Sequence, residues 1–211
     1  MDIVIIDDHN IIIEGIEMLL SLEKNINILK TYNDGNQFLQ DLRNTVLKPE
    51  IILMDLMMPT ISGFDCAKII RHEFPEIKII ILSMNCDEKV VFQLIKKIGI
   101  SGYLSKKTSR KELVSALENV RLGYIHLSDE AEIALNKFEK KLIYYPEIKL
   151  SAREKEIVNL MIKGLLNREI ANQLFISEST VETHRKNIYR KTEAHSVPKL
   201  IQIVNELNLL E

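Results

Sequence analysis

A handful of polar residues in this sequence stand where an α/β chain could put them to chemical use. Asp7 and Asp8 follow the apolar run Ile3–Ile6, Asp55 follows Ile51–Met54, Ser83 follows Lys78–Leu82, and Lys106 comes just after Gly102–Leu104. Carboxylates gathered at neighbouring strand ends repel one another, so either their pKa values rise or a hard cation neutralises them. Mg²⁺ suits such a place, because it takes few carboxylates and keeps water and phosphate oxygens as its other ligands. A lysine from an adjacent strand adds a mobile positive charge, and a serine hydroxyl can donate to an oxyanion. The set fits phosphoryl transfer onto a carboxylate, since aspartate can serve as the nucleophile that forms an acyl phosphate.

The elements that must position these residues can be read from periodicity. β-Branched runs predict strands at Ile3–Ile6, Ile26–Thr31, Ile51–Met54, Lys78–Leu82 and Gly102–Leu104. Amphipathic stretches predict helices at Asn10–Ser21, Asn36–Arg43, Phe64–Glu73, Glu88–Ile98 and Arg110–Leu122. Regular β-then-α alternation implies parallel strands with crossover helices. Runs such as Ile51-Ile52-Leu53-Met54 are apolar without alternation, as strands covered on both faces must be. The predicted fold is α/β, a five-stranded doubly wound parallel sheet, followed by a small all-α domain. Ligands in such sheets bind in a crevice at the carboxyl ends of the strands, where the residues named above fall.

The pattern changes after residue 122. Ser128–Leu142 reads as a charged helix ended by Tyr144-Tyr145-Pro146, and 123–148 is expected to be a linker. From 149 to 211 the chain reads as all-helical. Ser151-Ala-Arg-Glu154 is a capping box that opens a helix reaching Lys163, and Gly164 stops it. A second helix spans Asn167–Leu174, a third is capped by Ser177 or Ser179 and runs to Lys191, and Pro198 opens a fourth over Lys199–Leu209. In the third, Val181, Ile188 and Tyr189 make an apolar stripe, and the other face carries Thr180, Thr183, His184, Arg185, Lys186, Arg190 and Lys191. In the fourth, Leu200, Ile201, Val204 and Leu207 repeat at helical spacing, either as domain core or as a two-fold seam.

Composition is that of an ordinary globular protein: 211 residues, 46% hydrophobic, 27% charged, net charge −2. Near-neutrality gives no global pull toward nucleic acid, although the segment from 149 carries a small basic excess. Cys66 and Cys86 have no metal-ligand spacing and read as reduced thiols. No leader is expected before the first strand. No apolar run approaches the ~18 residues of a membrane span. A cytoplasmic protein without a membrane partner is the expectation.

Several spaced motifs resemble a known family. Asp7-Asp8-His9, Asp55-Leu-Met-Met-Pro59 with Gly63, Ser83, and Tyr103-Leu-Ser-Lys106 are similar to the flavodoxin-like receiver domain of response regulators, over residues 2–122. Leu150-Ser-Ala-Arg-Glu154, Gly164-Leu-Leu-Asn-Arg-Glu-Ile-Ala171, Leu174-Phe-Ile-Ser-Glu-Ser-Thr-Val181, His184 and Asn187-Ile188 resemble the LuxR-type helix-turn-helix. Together they resemble the NarL/FixJ class, two-component transcription regulators rather than enzymes. The resemblance implies that a sensor histidine kinase phosphorylates Asp55, and that Asp7, Asp8, Asp55 and the backbone carbonyl of Met57 arrange Mg²⁺. It implies that Lys106 pairs with the phosphoryl oxygens, and that Ser83 and Tyr103 switch in response. It further implies that Ser179, Thr180, Glu182, Thr183, Arg185, Lys186 and Arg190 face double-stranded DNA. A homodimer through the C-terminal helix, the receiver, or both is also implied.

The chain departs from the family pattern in places. Glu182 stands where a basic residue is common, so base preference does not carry over; it could accept from cytosine or pair with Lys186 at i,i+4. Met84 follows Ser83 where small residues are common, and Lys107 follows Lys106 where Pro or Asp is common. His9 is read as structural or solvent-facing. Two rival readings are weaker. A constitutive regulator would not need the full acidic set with Lys106. A haloacid-dehalogenase-type phosphatase needs a second Asp where Met57 stands.

Overall fold

The computed structural model describes residues 1–44, 48–144, 148–207 and 209–210. The chain divides into two compact units, Met1–Lys140 and Lys141–Glu211. The expected helix stop at Tyr145-Pro146 lies outside the described residues.

The first unit runs β1 (Asp2–Ile6), α1 (Asn10–Leu20), β2 (Asn27–Tyr32), α2 (Gly35–Arg43), β3 (Ile51–Asp55), α3 (Gly63–Glu73), β4 (Lys78–Ser83), α4 (Glu88–Phe92), a π-helical turn (Gln93–Ile98), β5 (Gly102–Ser105), α5 (Arg110–Arg121), β6 (His126–Leu127) and α6 (Asp129–Tyr144). The strands form one sheet in the order β2-β1-β3-β4-β5-β6, and every pairing is parallel. Side chains alternate between the faces of a strand. Ile3 and Ile5 of β1 therefore join Leu53, Ile80 and Leu104 under α1 and α5. Val4 and Ile6 join Ile52, Met54, Ile79 and Ile81 on the opposite face, with α2, α3, the π turn and α6.

Two differences from the sequence reading follow. The sheet has six strands, not five. Gly123 at φ 93° turns the chain after α5, and His126 and Leu127 then pair with Gly102 and Tyr103. A two-residue strand is too short to show a period. The expected helix Glu88–Ile98 is α-helical only to Phe92. Beyond that, Gly99, at φ 80°, donates its N–H to the carbonyl of Leu94, and this five-residue closure widens the last turn.

The second unit contains α7 (Ala152–Ile162), α8 (Asn167–Leu174), α9 (Glu178–Thr192) and α10 (Val197–Leu207). Its core joins Ile157, Val158 and Met161 to Ile170, Val181, Ile188 and Ile203. Leu200 and Val204 are buried in this core, so of the two readings of the α10 stripe they take the domain-core one. Ser151 and Glu154 cap α7 reciprocally, and Ser177 caps α9. Among the described residues no helix is long and apolar enough to cross a membrane.

Candidate functional site

The chain leaves β1 for β2 on one side and returns to β3 on the other, so the crevice between β1 and β3 is the sheet's topological switch point. Asp7 follows β1, and Asp55 is the last residue of β3. Lys106, just beyond β5, reaches between them. Its Nζ lies 2.7 Å from Asp7 Oδ2 and 3.0 Å from Asp55 Oδ1, with all three side chains almost wholly buried. The backbone holds this lysine in place, since the Lys106 N–H donates to the Ser83 carbonyl at 2.9 Å.

Asp7, Asp8, His9 and Asp55 each offer a ligand atom, and these atoms lie within 4.8 Å of one another. His9 Nδ1 sits 3.2 Å from Asp7 Oδ1 and 2.9 Å from Asp8 Oδ1. The buried oxygens Asp7 Oδ2 and Asp8 Oδ1 have a basic nitrogen each for company, the Lys106 ammonium at 2.7 Å and the His9 ring at 2.9 Å. Three carboxylates drawn together around one ammonium keep an excess of negative charge, which a hard divalent cation neutralises, and this mostly oxygen donor set fits one.

The electrostatics point the same way. Burial pushes the Asp55 carboxyl above its ordinary value and the charge of Asp7 adds to this, while Lys106 and the N–H of Met57 act against the rise. Burial pulls the Lys106 ammonium down, but its bonds to Asp7 and Asp55 outweigh it and keep the group charged. A desolvated carboxylate with a nearby ammonium is a nucleophile placed beside the cation that an incoming anion needs. Gly63 makes the close packing possible. A Cβ there would stand 2.0 Å from the Asp55 carbonyl oxygen, and the Gly63 N–H donates to the carbonyl of Leu56.

Ser83 is buried at the end of β4. Its Oγ accepts from the Asn85 N–H at 3.3 Å. Tyr103 is fully buried, and its hydroxyl donates to the Asn85 carbonyl at 2.7 Å. Burial raises the Tyr103 phenol to about 12, so it remains a donor. Asn85 is the residue that the sequence reading missed. It acts through its backbone, which no side-chain motif marks. His9, expected to be structural or solvent-facing, is largely exposed, and its ring reaches both acidic neighbours. Met57 and Met84 turn their side chains to solvent.

In the second unit, α8, a turn and α9 form a helix-turn-helix, the α8–turn–α9 stretch predicted to meet DNA. Ser179, Glu182, Thr183, Lys186 and Arg190 are exposed on α9. Thr180 is half-buried and shares a hydroxyl contact of 2.8 Å with Ser177. Arg185 is committed within the unit: its guanidinium donates to Asn167 Oδ1 at 2.8 Å and lies over the Tyr189 ring. Among the described residues no ion pair joins Glu182 to Lys186. Lys191 is anchored too, with Nζ 2.6 Å from the buried Glu154 carboxylate and 3.1 Å from the Lys149 carbonyl. Burial pushes the Glu154 carboxyl up, but Lys191 and the Ser151 N–H outweigh this and hold it below its usual value.

Comparison with known proteins agrees with both halves. Residues 3–118 match the response regulator receiver domain, and residues 149–204 match the luxR family of bacterial regulatory proteins. The chain belongs to the NarL/FixJ response regulators. This regulator is 33% identical to the oxygen regulatory protein NreC of Staphylococcus carnosus and 35% identical to NreC of Staphylococcus aureus, over the full length of both partners in each case. Among solved structures, it is similar to RcsB of Salmonella enterica serovar Typhimurium bound to the promoter rprA in the presence of the phosphomimetic BeF3- (25% identity, TM-score 0.63, covering 98% of this chain and 99% of the other). As a response regulator with a LuxR-type DNA-binding domain, it is grouped with transcription factors rather than enzymes.

Proposed function

We propose that Asp55 is the phosphoacceptor of this response regulator and that its phosphorylation controls DNA binding by the helix-turn-helix. The observation that carries the reading is Lys106 bridging Asp7 and Asp55 at the switch point. A carboxylate oxygen of Asp55 attacks the phosphorus of a phosphohistidine on a sensor histidine kinase. The new O–P bond forms, the P–N bond breaks, and the leaving imidazole takes up a proton. Lys106 pairs with the arriving phosphoryl oxygens as its hold on Asp55 loosens. Asp7, Asp8 and Asp55, with the Met57 carbonyl, would hold Mg²⁺, which supplies neutralising charge to those oxygens. The Ser83 hydroxyl turns from Asn85 to donate to the phosphoryl group, and Tyr103 responds through the carbonyl it shares with that loop.

The phosphoacceptor domain, 1–122, signals across 123–148 to the DNA-binding domain, 149–211. On α9, Glu182, Thr183 and Lys186 face bases or backbone, while Ser179, Thr180 and Arg190 reach phosphates. Arg185, already tied to Asn167, orients the helix rather than reaching freely. Sequence is read by base-edge contacts and position is fixed by phosphate contacts. The RcsB complex formed with promoter and phosphomimetic supports coupling of the two events. Exposed Ile11, Met18 and Leu22 form one stripe on the α1 side and support self-association through the receiver. The cytoplasm is the compartment that offers both kinase and DNA.

Acetyl phosphate with Mg²⁺ tests this directly. Wild-type protein should shift on a phosphate-affinity gel, and Asp55→Asn should not. A shift that persists in Asp55→Asn would place the phosphoacceptor elsewhere. Met84→Ala should change the lifetime of the phosphorylated form, and an unchanged lifetime would remove any role for that side chain.

A further inference from the structure

The segment after α5 does more than connect. Ser128 is buried and donates its N–H to the Tyr103 carbonyl at 2.9 Å. From there α6 packs on the first unit through buried Ala131, Ala134, Leu135 and Phe138, the first three of which belong to the core of the sheet face that also holds Tyr103. The Phe138 ring lies 4.9 Å from that of Phe92 in α4. Lys96 of the π turn pairs with Glu139 at 2.9 Å, and Glu88 at the start of α4 faces Lys137 at 3.7 Å. Thus α6 is fastened along the whole of α4 and its π turn.

The same segment is tied to the acidic pocket. Ser83 and Tyr103 meet at the backbone of Asn85. Two residues on, Asp87 caps α4 by accepting from the N–H groups of Lys89 and Val90. If the Ser83 hydroxyl turns toward Asp55, it gives up the Asn85 N–H, and the strain falls on the cap of a five-residue helix. The π turn that follows is a wound form with one residue in excess, of the kind found at functional sites. Its return to α-helix would rotate later residues by about 100°, one helical step. Lys96 would then swing off Glu139.

We infer that α6 is a strap on α4, and that phosphorylation of Asp55 loosens it through Ser83, Asn85 and the π turn, handing the signal to the chain that leads into the DNA-binding unit. The inference rests on the phosphoacceptor reading above.

Hydrogen exchange on the full chain, with and without beryllofluoride plus Mg²⁺, tests it. Peptides over 53–60 report filling of the pocket, and peptides over 131–140 report the strap. Filling should slow exchange in the first and speed it in the second by about tenfold, within the usual range of coupling between sites. Pocket protection with unchanged α6 exchange overturns the strap and spares the phosphoacceptor. Absence of pocket protection removes the phosphoacceptor and the strap with it. Phe138→Ala should exchange fast in α6 without beryllofluoride and gain little from it. Because that variant alters a buried residue, the charge swap gives an independent arm. Glu139→Lys should speed α6 exchange, and adding Lys96→Glu should restore it; equal exchange in the single and double variants also overturns the strap.

Discussion

In the first unit, Asp7, Asp55 and Lys106 are each at most 6% exposed, and the ammonium lies 2.7 Å from one carboxylate and 3.0 Å from the other. On α9 of the second unit, Glu182, Thr183, Lys186 and Arg190 stand in solvent, and among these candidate contacts the guanidinium of Arg185 is the one fixed to another helix. The two regions differ because their energy comes from different places. A pocket that moves a phosphoryl group must hold its charges ready before the ligand arrives, and the fold bears the cost of burying them. A DNA-reading face takes its energy from phosphates and base edges at the moment of contact, so its side chains stay hydrated until then. Substitutions in the first region should therefore register in folding stability, and those in the second in binding.

Lys106→Met puts this contrast under the greatest strain. It leaves Asp7 and Asp55 facing each other without the ammonium, and removing one partner of a buried charge set costs about 3 kcal/mol. Urea unfolding in chelator should show that loss, and Mg²⁺ should recover part of it by supplying the missing charge. Stability equal to wild type in chelator would mean that the cluster is not preorganised. Next comes Gly63→Ala. The added Cβ has backbone, not a flexible side chain, in its way, and overpacking of this kind costs about 1–3 kcal/mol. The first unit should melt earlier, and the second should not follow it.

Lys191→Met tests whether the DNA-binding unit keeps a preorganised charge of its own. The Glu154–Lys191 contact ties the start of α7 to the end of α9. Loss of the ammonium leaves a buried carboxylate with its Ser151 bonds but no countercharge, a deficit of about 1–2 kcal/mol. The pH dependence has a definite sign. The Glu154 carboxyl is held below its usual value in the folded chain, so its contribution is full above the unfolded pKa and fades as pH falls through the folded one. Wild type should thus lose more stability than Lys191→Met on going from neutral to acidic pH. Parallel pH profiles for the two proteins would count against the pair.

The contrast also explains what could be read from the residues alone. Asp7, Asp8, Asp55, Ser83 and Lys106 were legible because strand ends of a parallel sheet converge, so position along the chain fixes position in space. Asn85 was not legible, since its backbone makes the contacts. β6 and the docking of α6 were not legible either. A two-residue strand has no period, and Ala131, Ala134, Leu135 and Phe138 sit among charges that made the segment look like a linker. Phe175 shows that apolar type alone does not fix burial. It closes α8 at φ 55° and turns outward, 95% exposed, in the left-handed conformation that ends the helix. On α9 the polar face was legible only as a group. That Arg185 is held by Asn167 from α8 was not legible, because the contact depends on how two helices cross.

The smallest effect on folding should come from Lys186→Ala, and this makes it the sharpest test of the comparison. Lys186 is exposed and among the described residues has no hydrogen bond or ion pair to lose, so stability should stay within about 0.5 kcal/mol of wild type, as for ordinary surface changes. Binding to a mixed-sequence duplex should weaken, and the slope of log affinity against log salt should fall by about one, the signature of one phosphate contact removed. A salt slope that does not change, with affinity lost at every ionic strength alike, would assign Lys186 to a base edge instead. A drop in stability comparable to that of Lys191→Met would break the distinction itself, because it would mean that the reading face, like the acidic pocket, is wired into the fold.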